Sequence, residues 1–186
     1  MERRISLWLM PSSEYFELLQ DRIRSLATEY NAQVFEPHVT VWSGFGTEVT
    51  CKNLIESAIS GVRSITLQVE KIDFSPEFFK TLFIVFRDNS VLSRLSEKFR
   101  ALWEKPSAYE LKPHLSLIYK YMLRNEQQRL ASGVELPWRQ IAFDWIKAIS
   151  TPADDQAVRD VTSWRAIFSA KLEAEISLPG STGIPL

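Results

Sequence analysis

The only two histidines of the chain lie in closely similar stretches of sequence. Residues 37–41 read Pro-His-Val-Thr-Val, and residues 113–117 read Pro-His-Leu-Ser-Leu. Imidazole accepts or donates a proton near neutral pH without a large shift of its pKa. Because a hydroxyl residue, Thr40 or Ser116, follows each histidine by two positions, the pair predicts one proton acceptor, one proton donor and two hydrogen-bond donors around a shared anion.

The spacing within each motif indicates a short β-strand. Residues i and i+2 of a strand point to the same face, so His38 projects with Thr40, and His114 projects with Ser116. The aliphatic residues between them then face a core, and the proline suits the first position of a strand. One such motif alone is more often an ordinary strand than a site, whereas two copies that use both histidines favour chemistry.

Composition limits the classes of function. The 186 residues are 45% hydrophobic and 24% charged, which is typical of a soluble globular domain. The net charge of −1 gives no overall basic field, so we expect no long nucleic acid as a partner, while a small anion in a local pocket is compatible. Cys51 is the only cysteine, which excludes an internal disulfide and leaves too few ligands for a zinc site. We therefore expect no structural zinc site.

The N-terminus does not predict a targeting segment. The apolar run at 5–10 follows a charged start, is too short for a transmembrane helix and precedes no small-residue cleavage pattern. We interpret this run as the first strand and expect a cytoplasmic protein without membrane association. Since no long apolar surface pattern stands out, we also expect a monomer.

The order of predicted elements repeats once along the chain. The first half predicts strand 5–10, a helix from Ser12 or Ser13 to about 30, the first histidine strand, a loop at Gly44 and Gly46, helix 50–60 and strand 65–74. The second half predicts strand 81–86, helix 90–103, loop 104–110, the second histidine strand, helix 123–132, strand 139–150, a hairpin loop at 153–156 and strand 161–172.

Each half therefore has the order strand, helix, histidine strand, helix, strand. This order predicts an α+β fold with two pseudo-symmetric lobes, each an antiparallel sheet backed by helices. A pseudo-two-fold axis would bring His38 and His114 from opposite sides to a cleft between the lobes. We expect residues 1–177 to form one bilobal domain and residues 178–186 to form an irregular C-terminal tail.

These features resemble the two-histidine (2H) phosphoesterase superfamily and, within it, the plant and yeast cyclic phosphodiesterases. The duplicated His-x-Thr/Ser motif is the main point of likeness. The flanking segments follow the family order as well, at 6–11, 35–41, 78–86, 113–119 and a final strand that contains Trp164. The resemblance thus covers residues 3–172.

The resemblance implies a metal-independent hydrolase of small cyclic phosphodiesters that needs no cofactor. The substrates that it suggests are nucleoside 2′,3′-cyclic phosphates, converted to nucleoside 2′-phosphates, and ADP-ribose 1″,2″-cyclic phosphate. In such an enzyme the hydroxyls of Thr40 and Ser116 hold the phosphate, while His114 acts as the base and His38 as the acid. The implied partner is a small cyclic nucleotide.

The likeness also points to three aromatic residues as substrate contacts. Trp8 matches a tryptophan of the family's first strand, and strand alternation turns it toward the cleft, with a position at the edge of the core as the alternative. Tyr119 matches a tyrosine after the second motif, but alternation from His114 puts it on the other face unless a bulge intervenes. Phe79 is a third candidate, which would close over the nucleoside, with a position in the core as the alternative.

Some features near the motifs separate this chain from the family. Plant members carry extra cysteines that can pair near the second motif, whereas this chain has Cys51 alone, so redox control of that kind is not expected. The loop 104–110, which would gate the cleft, has its own composition and leaves the substrate preference open. Lys80 and Lys112 are expected on the solvated surface, with a contribution of positive charge near the phosphate as the alternative.

Two other functions remain open at this stage. One is an RNA-end enzyme of the same superfamily, with 2′,3′-cyclic phosphodiesterase or 2′–5′ RNA ligase activity, although the near-neutral charge argues against a long RNA groove. The other is a non-catalytic nucleotide-binding module, which would have no need of two proton-transfer groups.

Overall fold

The computed structural model describes residues 3–103 and 105–174, without the side chains of residues 49 and 50. The predicted tail, 178–186, lies outside the described residues. The strands are β1 (Arg3–Pro11), β2 (Val39–Gly46), β3 (Ile65–Asp73), β4 (Leu82–Phe86), β5 (His114–Ile118), β6 (Gln140–Thr151) and β7 (Arg165–Lys171). The helices are α1 (Ser13–Tyr30), α2 (Glu48–Ile59), α3 (Ser90–Leu102) and α4 (Arg124–Gly133).

The strands form two antiparallel lobes, which confirms the predicted α+β fold. One lobe contains β2, β1, β6 and β7, and the other contains β5, β4, β3 and the start of β6. Each half of the chain therefore gives its last strand to the other lobe, since β3 pairs with β4 and β6 pairs with β1. The histidine strands β2 and β5 meet at a single pair, Val39 with Leu115. The lobes are therefore joined through β6 at one side and through the histidine strands at the other.

A common hydrophobic core holds the two lobes together. Leu7 and Val41 from one lobe belong to the same buried cluster as Ile84 and Leu117 from the other. Burying these apolar side chains stabilises the relative position of the lobes, at about 25 cal/mol for each Å² removed from water. The site between the lobes is thus positioned by the packing of both.

The helices present one apolar face to this core, as their spacing predicts. Leu19 and Leu26 of α1 are buried in it, and so are Leu92 and Phe99 of α3. Ile23 of α1 is buried in a separate cluster with Phe35 and Tyr119. The side chain of Asn89 caps α3 by accepting hydrogen bonds from two backbone N–H groups of the first turn. None of the helices in the described part of the chain has both the length and the apolar character needed to cross a membrane.

Two predicted boundaries on the first histidine strand were wrong. Gly44 and Gly46 were expected in a loop, but β2 runs to Gly46, which pairs with Arg3 of β1. A Cβ atom at Gly44 would lie 2.4 Å from the Trp42 ring, and one at Gly46 would lie 2.8 Å from Trp103 Nε1. These glycines permit close packing of tryptophan rather than a turn. The next helix begins at Glu48 instead of 50.

The last strand also begins later than predicted. Residues Val161–Ser163 form a turn of 3₁₀ helix, and β7 begins at Arg165. Trp164 therefore precedes the strand, and its indole N–H donates to the carbonyl of Val158 at 2.7 Å. The segment between β6 and β7 is consequently a long connection whose side chains cover part of the site, rather than a tight hairpin.

Candidate active site

The strand that carries the first motif has a bulge directly after its hydroxyl residue. Thr40 pairs with Trp8 of β1, whereas Trp42 pairs with Leu7, so Val41 is an extra residue on β2. The bulge twists the strand at the point where the motif ends. His38 immediately precedes β2, and Thr40 follows on the same face.

The second motif has the same local architecture. Ser116 pairs with Phe83 of β4, whereas Ile118 pairs with Leu82, so Leu117 is the extra residue on β5. The bulge again comes one position after the hydroxyl residue. The duplication seen in the sequence is therefore repeated in the backbone, and not only in the order of the elements.

Both imidazoles are fixed by the same hydrogen bond. Nδ1 of His38 lies 2.6 Å from the carbonyl oxygen of Glu36, and Nδ1 of His114 lies 2.6 Å from that of Lys112. A carbonyl only accepts, so in each ring Nδ1 holds the proton and donates it to this bond. The tautomer inferred from this partner leaves Nε2 of each ring as the atom for proton transfer with a ligand.

Burial favours the neutral form of both imidazoles. It lowers the pKa of His38 to about 3, and the positive charges of His114 and Lys147 act in the same direction. It also lowers the pKa of His114, aided by the charge of Lys80. In each case the hydrogen bond to the backbone carbonyl opposes the shift. The effect of the His114 charge on the pKa of His38 reflects the proximity of the two rings.

The two motifs face one cavity of about 1000 Å³ between the lobes. The cavity brings together all seven residues that the sequence singled out for catalysis, phosphate binding or substrate binding. They are His38, His114, Thr40, Ser116, Trp8, Tyr119 and Phe79. The imidazoles therefore share a common space, and each has its own hydroxyl residue beside it.

Trp8 contacts the first histidine directly. Its indole ring stacks on the imidazole of His38 with the ring centres 3.6 Å apart and the planes 8° from parallel. Phe83, on the equivalent strand of the other lobe, meets His114 edge to face at 5.6 Å. The alternation of β1 thus turns Trp8 toward the cavity as predicted, where it also fixes the orientation of the imidazole.

The bulge explains how Tyr119 reaches the cavity. The extra residue Leu117 changes the alternation after Ser116, so Tyr119 comes to the cavity side. The Tyr119 ring stacks on Phe35 at 3.6 Å, and Phe79 packs edge-on against it at 5.2 Å. Burial raises the pKa of the Tyr119 hydroxyl, which therefore stays protonated.

The two hydroxyl residues differ in their present partners. Ser116 is buried, and its Oγ donates to the carbonyl of Phe79 at 2.6 Å. Thr40 is half-buried, and within the described residues its hydroxyl makes no hydrogen bond. The two hydroxyls therefore differ in that only Ser116 already donates to a protein carbonyl.

A family model described as cyclic phosphodiesterase-like protein matches residues 1–136 of this chain. The chain belongs to this family. This result confirms the likeness to the cyclic phosphodiesterases of the two-histidine superfamily and identifies the chain as a phosphodiesterase.

Similar proteins agree with this assignment. A cyclic phosphodiesterase of Arabidopsis thaliana is 26% identical over 66% of this chain and 68% of its own length. A 2′,3′-cyclic-nucleotide 3′-phosphodiesterase of Kluyveromyces lactis is 30% identical over 74% of this chain and 77% of its own length. Among solved structures, LigT of E. coli without ligand aligns over 93% of this chain and 99% of its own, with a TM-score of 0.57 and 12% identity. The complex of LigT with 3′-AMP gives a TM-score of 0.59 at 13% identity and the same coverage. These structures share the fold.

The sequence did not predict one residue of this phosphodiesterase site, Tyr109. The hydroxyl of Tyr109, in the loop before the second motif, donates to the backbone carbonyl of Thr40 at 2.7 Å. β2 and β5 pair only at Val39 and Leu115, so Tyr109 reaches this carbonyl at the point where the two histidine strands separate. Ser107 similarly donates to the carbonyl of Ser43. No periodicity or motif marks Tyr109, because its role depends on where the two lobes separate.

The charges around the phosphodiesterase cavity come from few side chains. Lys80, expected at the solvated surface, lines the cavity near His114, whereas Lys112 is exposed as expected. The carboxylates of Glu77 and Asp155 also line the cavity. Within residues 3–103 and 105–174, no three His, Cys, Asp or Glu side chains lie together as metal ligands.

Proposed function

We propose that this phosphodiesterase hydrolyses nucleoside 2′,3′-cyclic phosphates to nucleoside 2′-phosphates, with ADP-ribose 1″,2″-cyclic phosphate as a second substrate of the same chemistry. The observation that carries the proposal is the pair of imidazoles, each fixed through Nδ1 and each beside a hydroxyl in the same cavity. The name of the Kluyveromyces lactis relative supports the substrate class, because that protein is a 2′,3′-cyclic-nucleotide 3′-phosphodiesterase.

In this proposal the hydroxyls of Thr40 and Ser116 donate to the non-bridging oxygens of the cyclic phosphate. These donors stabilise the negative charge that grows on the oxygens as water attacks phosphorus. Ser116 turns from the Phe79 carbonyl to the phosphate when the substrate binds. Trp8, Tyr119 and Phe79 form the aromatic wall against which the nucleoside packs.

The two histidines carry out the proton transfers of the hydrolysis. Nε2 of neutral His114 takes a proton from the attacking water as the new P–O bond forms. The bond between phosphorus and the 3′ oxygen breaks, and Nε2 of protonated His38 gives its proton to that oxygen. The phosphate stays on the 2′ oxygen, one water is consumed, and proton exchange with solvent restores the two imidazoles.

Protonated His38 needs support, because burial favours its neutral form. Two groups supply it in the proposed complex. The parallel face of Trp8, 3.6 Å from the imidazole, attracts a cation through its π electrons. The cyclic phosphate brings a negative charge beside the ring and thereby raises the pKa of His38. Substrate binding and protonation of His38 are thus coupled.

The substrate in this proposal is a small nucleotide rather than a long RNA. The chain has a net charge of −1, and the fold of LigT, which resembles it, holds 3′-AMP in one solved complex. The cavity lies between the lobes, and the carboxylates of Glu77 and Asp155 lie among its basic side chains.

The test is to incubate the protein, in the presence of EDTA, with adenosine 2′,3′-cyclic phosphate and separately with a short RNA that ends in a 2′,3′-cyclic phosphate. Hydrolysis of the mononucleotide to adenosine 2′-phosphate is expected, and phosphorus NMR or chromatography distinguishes it from the 3′-phosphate. Activity confined to the RNA would instead identify an RNA-end enzyme. Binding of the mononucleotide without turnover would identify a nucleotide-binding module.

A further inference from the structure

Arg4 places an unsatisfied donor at the edge of the cavity, away from the histidines. Its side chain lines the cavity, and its Nε atom is buried without a hydrogen-bond partner in the described structure. The guanidinium lies 5.2 Å from the centre of the Phe45 ring. Its only anionic neighbour among the described residues is Asp155, at 3.7 Å, whose side chain is 88% exposed. A buried N–H that lacks a partner is costly, so this arginine is suited to an additional acceptor.

Arg4 stands at a defined distance from the catalytic phosphate position. Arg4, Ser6 and Trp8 all line the cavity from alternate positions of β1, and Trp8 pairs with Thr40. At a rise of about 3.3 Å per residue, the Cα of Arg4 is about 13 Å along the strand from the level of Thr40. The extended arginine side chain covers part of that interval. A polar surface lies between them, where Ser6 and Ser43 are hydrogen-bonded at 2.9 Å.

The cavity has room for more than the reacting ring. Its volume of about 1000 Å³ lies at the upper end of the range for small-molecule sites, about 300–1,000 Å³. A cyclic mononucleotide fills only part of it. The unfilled end contains an arginine and hydroxyls, and this set suits a phosphoryl group, because a guanidinium donates to its oxygens through several N–H groups at once.

We propose that Arg4 forms a subsite for a second phosphoryl group of the substrate, attached to the nucleoside away from the cyclic phosphate. The inference rests on the proposed hydrolysis of cyclic phosphodiesters and adds a preference among such substrates. The second group is either a terminal phosphate or a bridging one, since both present the same oxygens. The carboxylate of Asp155 competes with it for Arg4 and weakens the subsite.

The experiment compares adenosine 2′,3′-cyclic phosphate with the same nucleotide carrying a 5′-phosphate. The wild-type protein is expected to show a KM about tenfold lower for the 5′-phosphorylated substrate, the effect of one charge-assisted hydrogen bond. In Arg4→Met, which keeps the apolar stem over Phe45, the ratio of the two KM values is expected to fall to about one. Asp155→Asn is expected to increase the ratio.

Two matched variants locate the effect. Arg3→Met removes the same charge from the neighbouring position, where Arg3 donates to Ser150 Oγ at 2.6 Å, and it is expected to keep the wild-type ratio. Arg159→Met removes a cation that lines the cavity beside Phe78 and Tyr121, and it is also expected to keep the ratio. Equal KM values in the wild type, or loss of the ratio in Arg159→Met but not in Arg4→Met, would overturn the subsite.

A binding measurement separates this inference from the proposed reaction. Adenosine 2′,5′-bisphosphate is expected to bind more tightly than adenosine 2′-phosphate in calorimetry, with the difference lost in Arg4→Met. Failure to hydrolyse either cyclic substrate would reject the proposed function and leave this binding comparison intact. A dinucleotide ending in a cyclic phosphate supplies the bridging group. A lower KM for this dinucleotide that depends on Arg4 would also support the subsite. Identical affinities of the two adenosine phosphates would reject the subsite even if hydrolysis is observed.

Discussion

The half-site of Trp8, His38 and Thr40 and the half-site of Phe83, His114 and Ser116 have the same backbone and different surroundings. In both, a bulge follows the hydroxyl residue, and Nδ1 of the histidine donates to the carbonyl two residues earlier. The duplication thus preserved the geometry that fixes each imidazole. What differs is how each ring and hydroxyl is covered.

The first imidazole is held more tightly and has less contact with water. His38 is 8% exposed beneath the parallel ring of Trp8, whereas His114 is half-buried and meets Phe83 only at its edge. A reaction that needs an acid and a base cannot use two equivalent imidazoles in the same protonation state. Unequal packing around an equal backbone makes the two imidazoles chemically inequivalent. Burial alone favours neutral His38, so its proposed role as the acid depends on Trp8 and on the bound phosphate.

Replacing either histidine is expected to have the largest effect on catalysis. His38→Ala and His114→Ala are each expected to lower kcat by about 10²- to 10⁴-fold, because each removes one proton transfer. A 2′,3′-cyclic phosphate with sulfur in place of the 3′ oxygen distinguishes them, since a thiolate leaves without being protonated. His38→Ala is expected to regain most of its rate on this substrate and His114→Ala is not. Recovery in His114→Ala alone would reverse the proposed roles, and full activity in either variant on the ordinary substrate would reject the mechanism.

The hydroxyl residues are expected to have the next largest effect. Thr40→Val and Ser116→Ala should each lower kcat/KM, because each variant loses about 2–4 kcal/mol of transition-state stabilisation. Only Ser116→Ala should also lower the unfolding midpoint, because it leaves the carbonyl of Phe79 without its donor. Ser132→Ala, which removes an exposed hydroxyl on α4, is the control and should change neither quantity. Equal stability of the two active-site variants would contradict the difference between the half-sites.

The two imidazoles are expected to titrate differently in the free protein. Proton NMR can follow each one, because the chain has no other histidine. His38 is expected to titrate near pH 3, and the more exposed His114 at a higher pH that is still below 6.5. Inorganic phosphate in the cavity should raise both pKa values. Coincident titrations, or titrations that phosphate leaves unchanged, would contradict this account.

The same shifts predict how stability depends on pH. A histidine whose pKa is lower in the folded state binds fewer protons there than in the unfolded chain. The free energy of unfolding should therefore decrease as the pH falls from about 6.5 toward 3, the window set by the lowered pKa of His38. His38→Gln, which removes the titrating group, should lose less stability over this window than the wild type does. Equal slopes in the two proteins would show that His38 is not buried in its neutral form.

The smallest expected effect belongs to Tyr109. Tyr109→Phe removes the donor to the Thr40 carbonyl and should lower kcat about tenfold or less, with little change in KM, because Thr40 loses orientation and not its hydroxyl. The loss should nearly vanish in a Thr40→Val background, where there is no hydroxyl left to orient. Additive losses in the double variant would show that Tyr109 acts elsewhere.

Much of this site was predictable from the sequence because its parts are local. The spacing of His38 and Thr40 predicts a shared strand face, and the repeated element order predicts a second, equivalent strand with His114 and Ser116. The position of Trp8 follows from alternation along β1. Each of these predictions needs only the period of a strand and the duplication, and the shared cavity agrees with all of them.

Other features depended on contacts between distant segments. The sequence predicts a loop at Gly44 and Gly46, but both lie in β2, where Trp42 and Trp103 pack over them. Lys80 is predicted to lie on the surface, but the turn before β4 directs it toward the cavity. Trp164 is predicted to lie in the last strand, but a hydrogen bond to Val158 holds it in the connection before that strand. Local propensity cannot anticipate these outcomes, because tertiary packing overrides it.

The sequence by itself determined the residue types and their pairing: two imidazoles, two hydroxyls and the strands that hold them. Only the tertiary structure decided which imidazole lies beneath a tryptophan, which hydroxyl already has a partner and where Arg4 and Tyr109 enter the cavity. The physical reason is that strand periodicity acts over a few residues, whereas burial and the pKa shifts that it causes depend on groups brought together from both halves of the chain.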